Sequence, residues 1–228
     1  MSIRERFERK LAALRDDVLA MGSAVGEQLD LAMTSLDKLD VDLARQVFVM
    51  DLSVNEARFN IEEEAFALIV TQQPAAGDLR AIVAVMNMIV DLERMGDHAK
   101  GIAKVVTYIY DKPARTPPPQ LKQMGEMVAS MLRQTMNAYA NDNVELARFV
   151  AKQDDEIDQM YGMVFSQIMA AMAKTKKAAK VETNYEFLRV ARELERFGDL
   201  STNIAERVVY RVTGSFDEIN RDIDDSAG

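Results

Sequence analysis

Glu93 and Asp97 lie in "DLERMGDHAKGIA" (91–103), and Glu195 and Asp199 lie in "ELERFGDLSTNIA" (193–205). The two stretches are nearly the same. Leu92, Arg94, Gly96, Ile102 and Ala103 recur as Leu194, Arg196, Gly198, Ile204 and Ala205. On a helix, positions i and i+4 share a face, with Cβ atoms about 5–6 Å apart. Two carboxylates held that way repel each other, and each loses hydration if the face is covered. An ionised carboxylate buried without a partner costs several kcal/mol, or else one member of the pair stays protonated. A bound cation relieves both strains. Oxygen-rich clusters suit hard ions such as Mg²⁺, Ca²⁺, Mn²⁺ or iron. The alternative relief is pairing with basic side chains, or a rim position in water.

A helical wheel at 100° per residue places Ile82, Val85, Met86, Ile89 and Leu92 on one apolar face. Glu93 and Asp97 continue that face, with Gly96 opening space beside them. Asp91, Arg94 and His98 point elsewhere, which predicts solvated side chains. The second copy repeats the layout. Phe187, Leu188, Ala191 and Leu194 share a face with Glu195 and Asp199, while Glu193 and Arg196 lie off it. The preceding helices supply a partner signal. Asp51 and Asn55 align with Val47, Val54 and Ile61, and Asp154 and Asp158 align with Val150, Ile157, Tyr161 and Phe165. Oxygen-bearing side chains from two helices thus converge on one seam in each half. The candidate metal ligands are Asp51, Asn55, Glu93 and Asp97, then Asp154, Asp158, Glu195 and Asp199. Arg58 lies on the face of Asp51, and Lys100 and Lys104 continue that of Glu93 and Asp97, so pairing within the chain stays open.

The elements that hold these residues are helices. All five prolines fall at Pro74, Pro113, Pro117, Pro118 and Pro119, and proline breaks helix interiors. The long proline-free stretches are rich in Ala, Leu, Met, Glu, Arg and Gln, all strong helix formers. Breaks at Asp40, 72–78, 111–120, 141–143 and 174–183 give six long helices. No sustained apolar/polar alternation predicts a strand. The halves repeat. Leu43-Ala44-Arg45 returns as Leu146-Ala147-Arg148, Met33 as Met136, and the acidic motif 102 positions later. Such regularity indicates duplication of one unit. The fold expected is all-α, two tandem, sequence-related three-helix bundles at 1–112 and 120–213. A proline-rich linker at 113–119 joins them, and an acidic tail at 214–228 is expected to be frayed.

Composition narrows the function. The chain has 228 residues, 48% of them apolar, enough for a substantial core. It has no cysteine, so neither disulfides nor thiolate metal sites can form. The net charge of −9 disfavours nucleic acid, whose phosphates need clustered Lys and Arg. The charged N-terminal stretch lacks a secretory apolar core, and no apolar run reaches the roughly 20 residues of a membrane span. We therefore expect a cytoplasmic protein without membrane insertion. One histidine, His98, cannot supply the two Glu-x-x-His pairs of a ferritin-like di-iron bundle. Ser-His-Asp and Cys-His arrangements and a phosphate-cradling loop are also missing. The "KTKKAAK" run at 174–180 reads as a solvated loop, and the fifteen methionines as adaptable core filler.

Two three-helix units, each with Asp/Glu-Leu-Glu-Arg-Met/Phe-Gly-Asp, resemble the PhoU family of phosphate-transport regulators. "QQPAAGDLRAIVAVM" (72–86) resembles that family's turn before its first motif, and "LAMTSLDKLDVDLARQVFVMDLSVNE" resembles its approach to the second helix. The resemblance spans about residues 5–212. It implies two similar three-helix bundles and metal ions, iron or others such as Zn, Mn or Mg, on the acidic patches. The implied partners are the nucleotide-binding subunit of the high-affinity phosphate ABC transporter and a PhoR-type sensor histidine kinase. Proteins similar to this one hold that kinase inhibitory and restrain uptake in phosphate-rich cells. Asn55 departs from the acidic pattern, so the first site is expected to be weaker than the second. We expect a non-enzymatic regulator, acting as a homodimer. The alternative is a carboxylate-rich bundle with metal-dependent hydrolytic or metal-storage activity, which needs an open coordination position and a placed base. A plain dimerisation module is the third reading.

Overall fold

The computed structural model describes residues 2–112 and 116–215. Seven helices follow one another: α1 (Ile3–Lys38), α2 (Val41–Gln72), α3 (Ala76–Ile109), α4 (Pro119–Asn141), α5 (Val144–Ala151), α6 (Asp154–Ala173) and α7 (Ala178–Thr213). Among the described residues there is no strand. The fold is all-α and built from two related halves, α1–α3 and α4–α7. The fifth of the six expected helices is traced as α5 and α6. A short turn at Lys152–Gln153 divides them, with both residues still in the right-handed helical region. The amide of Gln153 bonds the carbonyl of Val150 at 2.9 Å, tightening the turn without a proline or glycine.

The turns show why the chain stops where it does. Leu39 takes a left-handed φ of 51°, and Asp40 then caps α2 through its Oδ1, which accepts from the amides of Asp42 and Leu43. The second half copies this: Asp142 has φ 52°, and Asn143 accepts from the Leu146 amide. Short polar side chains at such positions satisfy backbone donors that the helix leaves free. Pro119 opens α4 at the first helical position, where its missing N–H is not needed. Of the linker expected at 113–119, residues 113–115 lie outside the described residues, as does 216–228 of the acidic tail.

α3 and α7, the helices with the duplicated motif, pack against each other at the centre of the molecule. α1 and α2 flank α3, while α4, α5 and α6 flank α7, and α1 also meets α4. The stripe Leu14, Val18, Met21, Val25 and Leu29 on α1 is buried. Each such side chain contributes about 1.5–3 kcal/mol when taken from water. Because α3 faces α1, α2 and α7, it is covered on most of its circumference, and its polar positions meet neighbours on more than one side.

Candidate metal centre

In the second half, Asp158 from α6 meets Glu195 and Asp199 from α7. One carboxylate oxygen from each lies within 4.8 Å of the others. This is the one group of three or more acidic, His or Cys side chains that gathers so closely among the described residues. Glu195 is half-buried, and Asp158 and Asp199 are exposed. Desolvation, then the Asp158 charge, pushes the Glu195 carboxyl up. Asp199 is pushed up to about 6, by desolvation first and then by Glu195 and Asp158. Arg196 draws both back in part, but no ion pair within 4.0 Å forms on any of the three. Asp154, also expected here, is half-buried one turn before Asp158 and adds to the negative field on Glu195.

The first half is different. Asp51 is fully buried on α2. Its Oδ2 accepts from the Lys100 ammonium on α3 at 2.6 Å, and the same ammonium lies 3.6 Å from Asp97 Oδ1. The Asn55 amide approaches Asp51 Oδ2 at 3.5 Å, and Gln28 Nε2 reaches Oδ1 at 3.5 Å while donating to the Gly96 carbonyl at 3.1 Å. The hydrogen bond to Asp51 pushes the Lys100 ammonium up, more than burial lowers it. Glu93 is half-buried and its carboxyl is raised by desolvation, then by Asp97, while Arg58 draws it down. Asp97 itself is exposed at the rim. Asp51 and Asp97 therefore share the Lys100 ammonium, Asn55 lies against Asp51, and Glu93 feels the charges of both acids.

Several expectations need correction. Seven of the eight candidate ligands stand half-buried or exposed along the rim, and only Asp51 is in the interior. The cation on Asp51 is Lys100; Arg58 instead pairs with Glu62 at 3.3 Å. Asp91 and Glu193 are not solvated: Asp91 is buried, and Glu193 is half-buried against the other half. His98 is not a surface residue. Its Nδ1 lies 2.7 Å from Glu193 Oε2, a link between α3 and α7. Gly101 leaves room for this link, since a Cβ there would meet the Glu193 carboxyl carbon at 2.8 Å. The residue sequence reasoning missed is Gln28, a buried amide on α1 between Asp51 and Gly96. Its signal was a long polar side chain in the α1 apolar stripe.

The sequence profile described as PhoU domain matches this chain twice, at residues 18–106 and 121–208. The chain belongs to the PhoU family. It is 34% identical over 218 residues to the "Phosphate-specific transport system accessory protein PhoU homolog" of Clostridium acetobutylicum, covering 95% of this chain and 99% of that protein. It is 30% identical over 209 residues to the "Phosphate-specific transport system accessory protein PhoU" of Escherichia coli K12, covering 92% and 86%. Its fold superposes on the crystal structure of PhoU from Pseudomonas aeruginosa with a TM-score of 0.86 at 31% identity, over 92% of this chain and all of that one. The "phosphate transport system regulatory protein PhoU" from Streptococcus pneumoniae gives 0.86 at 32%, over 93% and 99%. No helix among the described residues is long and apolar enough to cross a membrane.

Proposed function

We propose that this chain is a non-enzymatic regulator of phosphate uptake and phosphate-starvation signalling. The observation that carries the reading is the end-to-end likeness, over both repeats, to proteins named as accessories of the phosphate-specific transport system. The partners we assign are the nucleotide-binding subunit of the phosphate ABC transporter and a PhoR-type sensor histidine kinase in the cytoplasm, engaged by a homodimer. With this goes a division into repeats at 1–112 and 120–213, joined at 113–119, with a tail from 214.

Metal enters through the second half. Asp158, Glu195 and Asp199 offer hard oxygen donors at a spacing one divalent ion can bridge. The raised carboxyls of Glu195 and Asp199 are what such an ion relieves. When bound, the ion would neutralise the patch and fix α6 against α7, setting the charge and shape offered to a partner. Asp154 adds negative field at the same place. The donor set of the first half does not fit in the same way, because Lys100 already holds Asp51.

The test is genetic. Deleting the gene should raise alkaline phosphatase expression in high phosphate, and the wild-type gene should restore repression. The E195A/D199A variant, expressed at the wild-type level, should restore it incompletely. Unchanged expression in the deletion strain would overturn the regulatory reading. Full restoration by the variant would overturn the role of the metal.

A further inference from the structure

Superimposing the repeats by sequence pairs Asp51 with Asp154, Asn55 with Asp158, Arg58 with Tyr161, Glu93 with Glu195 and Asp97 with Asp199. Lys100 is paired with Thr202. The first set holds three carboxylates and two basic side chains, and the second holds four carboxylates and no basic side chain. The substitutions all run in one direction. Each exchange from the second half to the first removes a negative charge or adds a positive one.

The geometry gives this a specific form. The Lys100 ammonium stands between Asp51 on α2 and Asp97 on α3, at 2.6 and 3.6 Å. It joins two helices through carboxylate oxygens, as a bridging metal ion would. It carries three donors and no lone pair while protonated, so it cannot act as a ligand. Its charge opposes that of any incoming cation. Both Asp51 oxygens already have donors, from Lys100, Asn55 and Gln28. An ion would have to displace the ammonium and strip a buried carboxylate of its partners. At the equivalent place in the second half, Thr202 is buried and its hydroxyl has no hydrogen-bond partner. The side chain in the place of Lys100 is thus a neutral one.

We propose that Lys100 is a built-in counter-ion that takes the place of metal in the first repeat, so that the chain responds to metal ions through its second repeat alone. The inference rests on the metal reading of the second half for its contrast. Its own content is the exclusion of an ion from the first half. The consequence is a protein with one fixed face and one ion-dependent face. The α2–α3 seam keeps its shape whatever the ion supply, while the α6–α7 seam is completed only when an ion is present.

The test measures Mn²⁺ bound per chain, by titration calorimetry and by the loss of the free-ion paramagnetic signal, on full-length protein stripped with chelator. Wild-type Mn²⁺ binding should vanish in E195A/D199A and stay unchanged in E93A/D97A. The exchange K100T/N55D, which writes the second-half residues into the first, should add Mn²⁺ equivalents that E93A/D97A then removes. The reverse exchange T202K/D158N should cut Mn²⁺ affinity at least tenfold and abolish the rise in Tm on adding Mn²⁺. Circular dichroism confirms that each variant folds, and the reverse exchange decides the matter if the first does not. A folded K100T/N55D that gains no ion, or a wild-type protein that loses half its Mn²⁺ in E93A/D97A, would overturn the proposal. Absence of Mn²⁺ binding in the wild type would instead overturn the second-half site, and a gain in K100T/N55D would still support the role of Lys100.

Discussion

The two repeats solve one electrostatic problem in two ways. Each brings acids from two helices to a common seam. The first repeat neutralises them with its own side chains: Lys100 on Asp51, with Asn55 and Gln28 completing the shell. The second leaves Asp158, Glu195 and Asp199 within 4.8 Å of one another, with no ion pair on any of them. A neutralised cluster is a structural joint. An unneutralised one stores repulsion that an external cation can release. Duplication followed by a few exchanges is enough to turn one motif into both.

The sharpest way to break the comparison is to remove the acids from each half in turn. E195A/D199A should weaken Mn²⁺ binding at least about a hundredfold, beyond the roughly 10–100-fold that losing an outer-shell partner alone costs. E93A/D97A should leave it within about twofold, both read by titration calorimetry. Equal losses would make the halves equivalent.

Stability gives the next largest contrast. K100M removes the partner of a buried carboxylate. Breaking a fully buried pair costs about 3–5 kcal/mol, and since Lys100 is partly exposed we expect about 2–3. At the equivalent position T202V removes only a hydroxyl without a hydrogen-bond partner and should be neutral or stabilising. Urea unfolding in chelator measures both.

The motif glycines sharpen the difference in packing. A Cβ at Gly96 would lie 3.0 Å from Gln28 Oε1 and 3.3 Å from Val54 Cγ1. At Gly198 its nearest contact is 3.5 Å, to Ile157. G96A should therefore destabilise by about 1 kcal/mol, in the lower part of the range for overpacking. G198A should stabilise by about 0.5–1 kcal/mol, since alanine suits a helix better. Thermal melts of the two variants check the opposite signs.

The smallest effect is on pH. The folded Asp199 carboxyl sits at about 6, against an ordinary 3.8. Between these values the folded chain holds more protons than the unfolded one, so this contribution to stability is complete below the lower value and lost as pH rises through the upper. Asp91, Glu93 and Glu195 are shifted in the same direction. Metal-free protein should melt a little higher at pH 5 than at pH 7.5, with the exposure of Asp199 keeping the change small. Mn²⁺ affinity should run the other way, because binding needs the ionised carboxylate. D199N should flatten both profiles.

Much of this was legible in the sequence. Proline positions, the breaks at Asp40 and 141–143 and the duplicated motif define the helices and the repeat. Asn55 showed in the sequence that the first acidic set carries one charge fewer than the second. The identity of the cation on Asp51 was not. Arg58 and Lys100 both lie on the right face, and only the crossing of α2 and α3 decides which one reaches. The setting of His98 was not legible for a related reason. A helical wheel gives a direction within one helix but not what lies there. The side of α3 opposite the acids faces α7, so His98, Asp91 and Glu193 meet the other repeat instead of water. The division between α5 and α6 has no glycine or proline to announce it.

The most direct measurement is anomalous diffraction from crystals soaked in Mn²⁺ or Fe²⁺, with data collected at the absorption edge of the metal. The account predicts density among Asp158, Glu195 and Asp199, and none beside Asp51, where the Lys100 ammonium should remain. Density of equal height in both halves, or beside Asp51 alone, would contradict it.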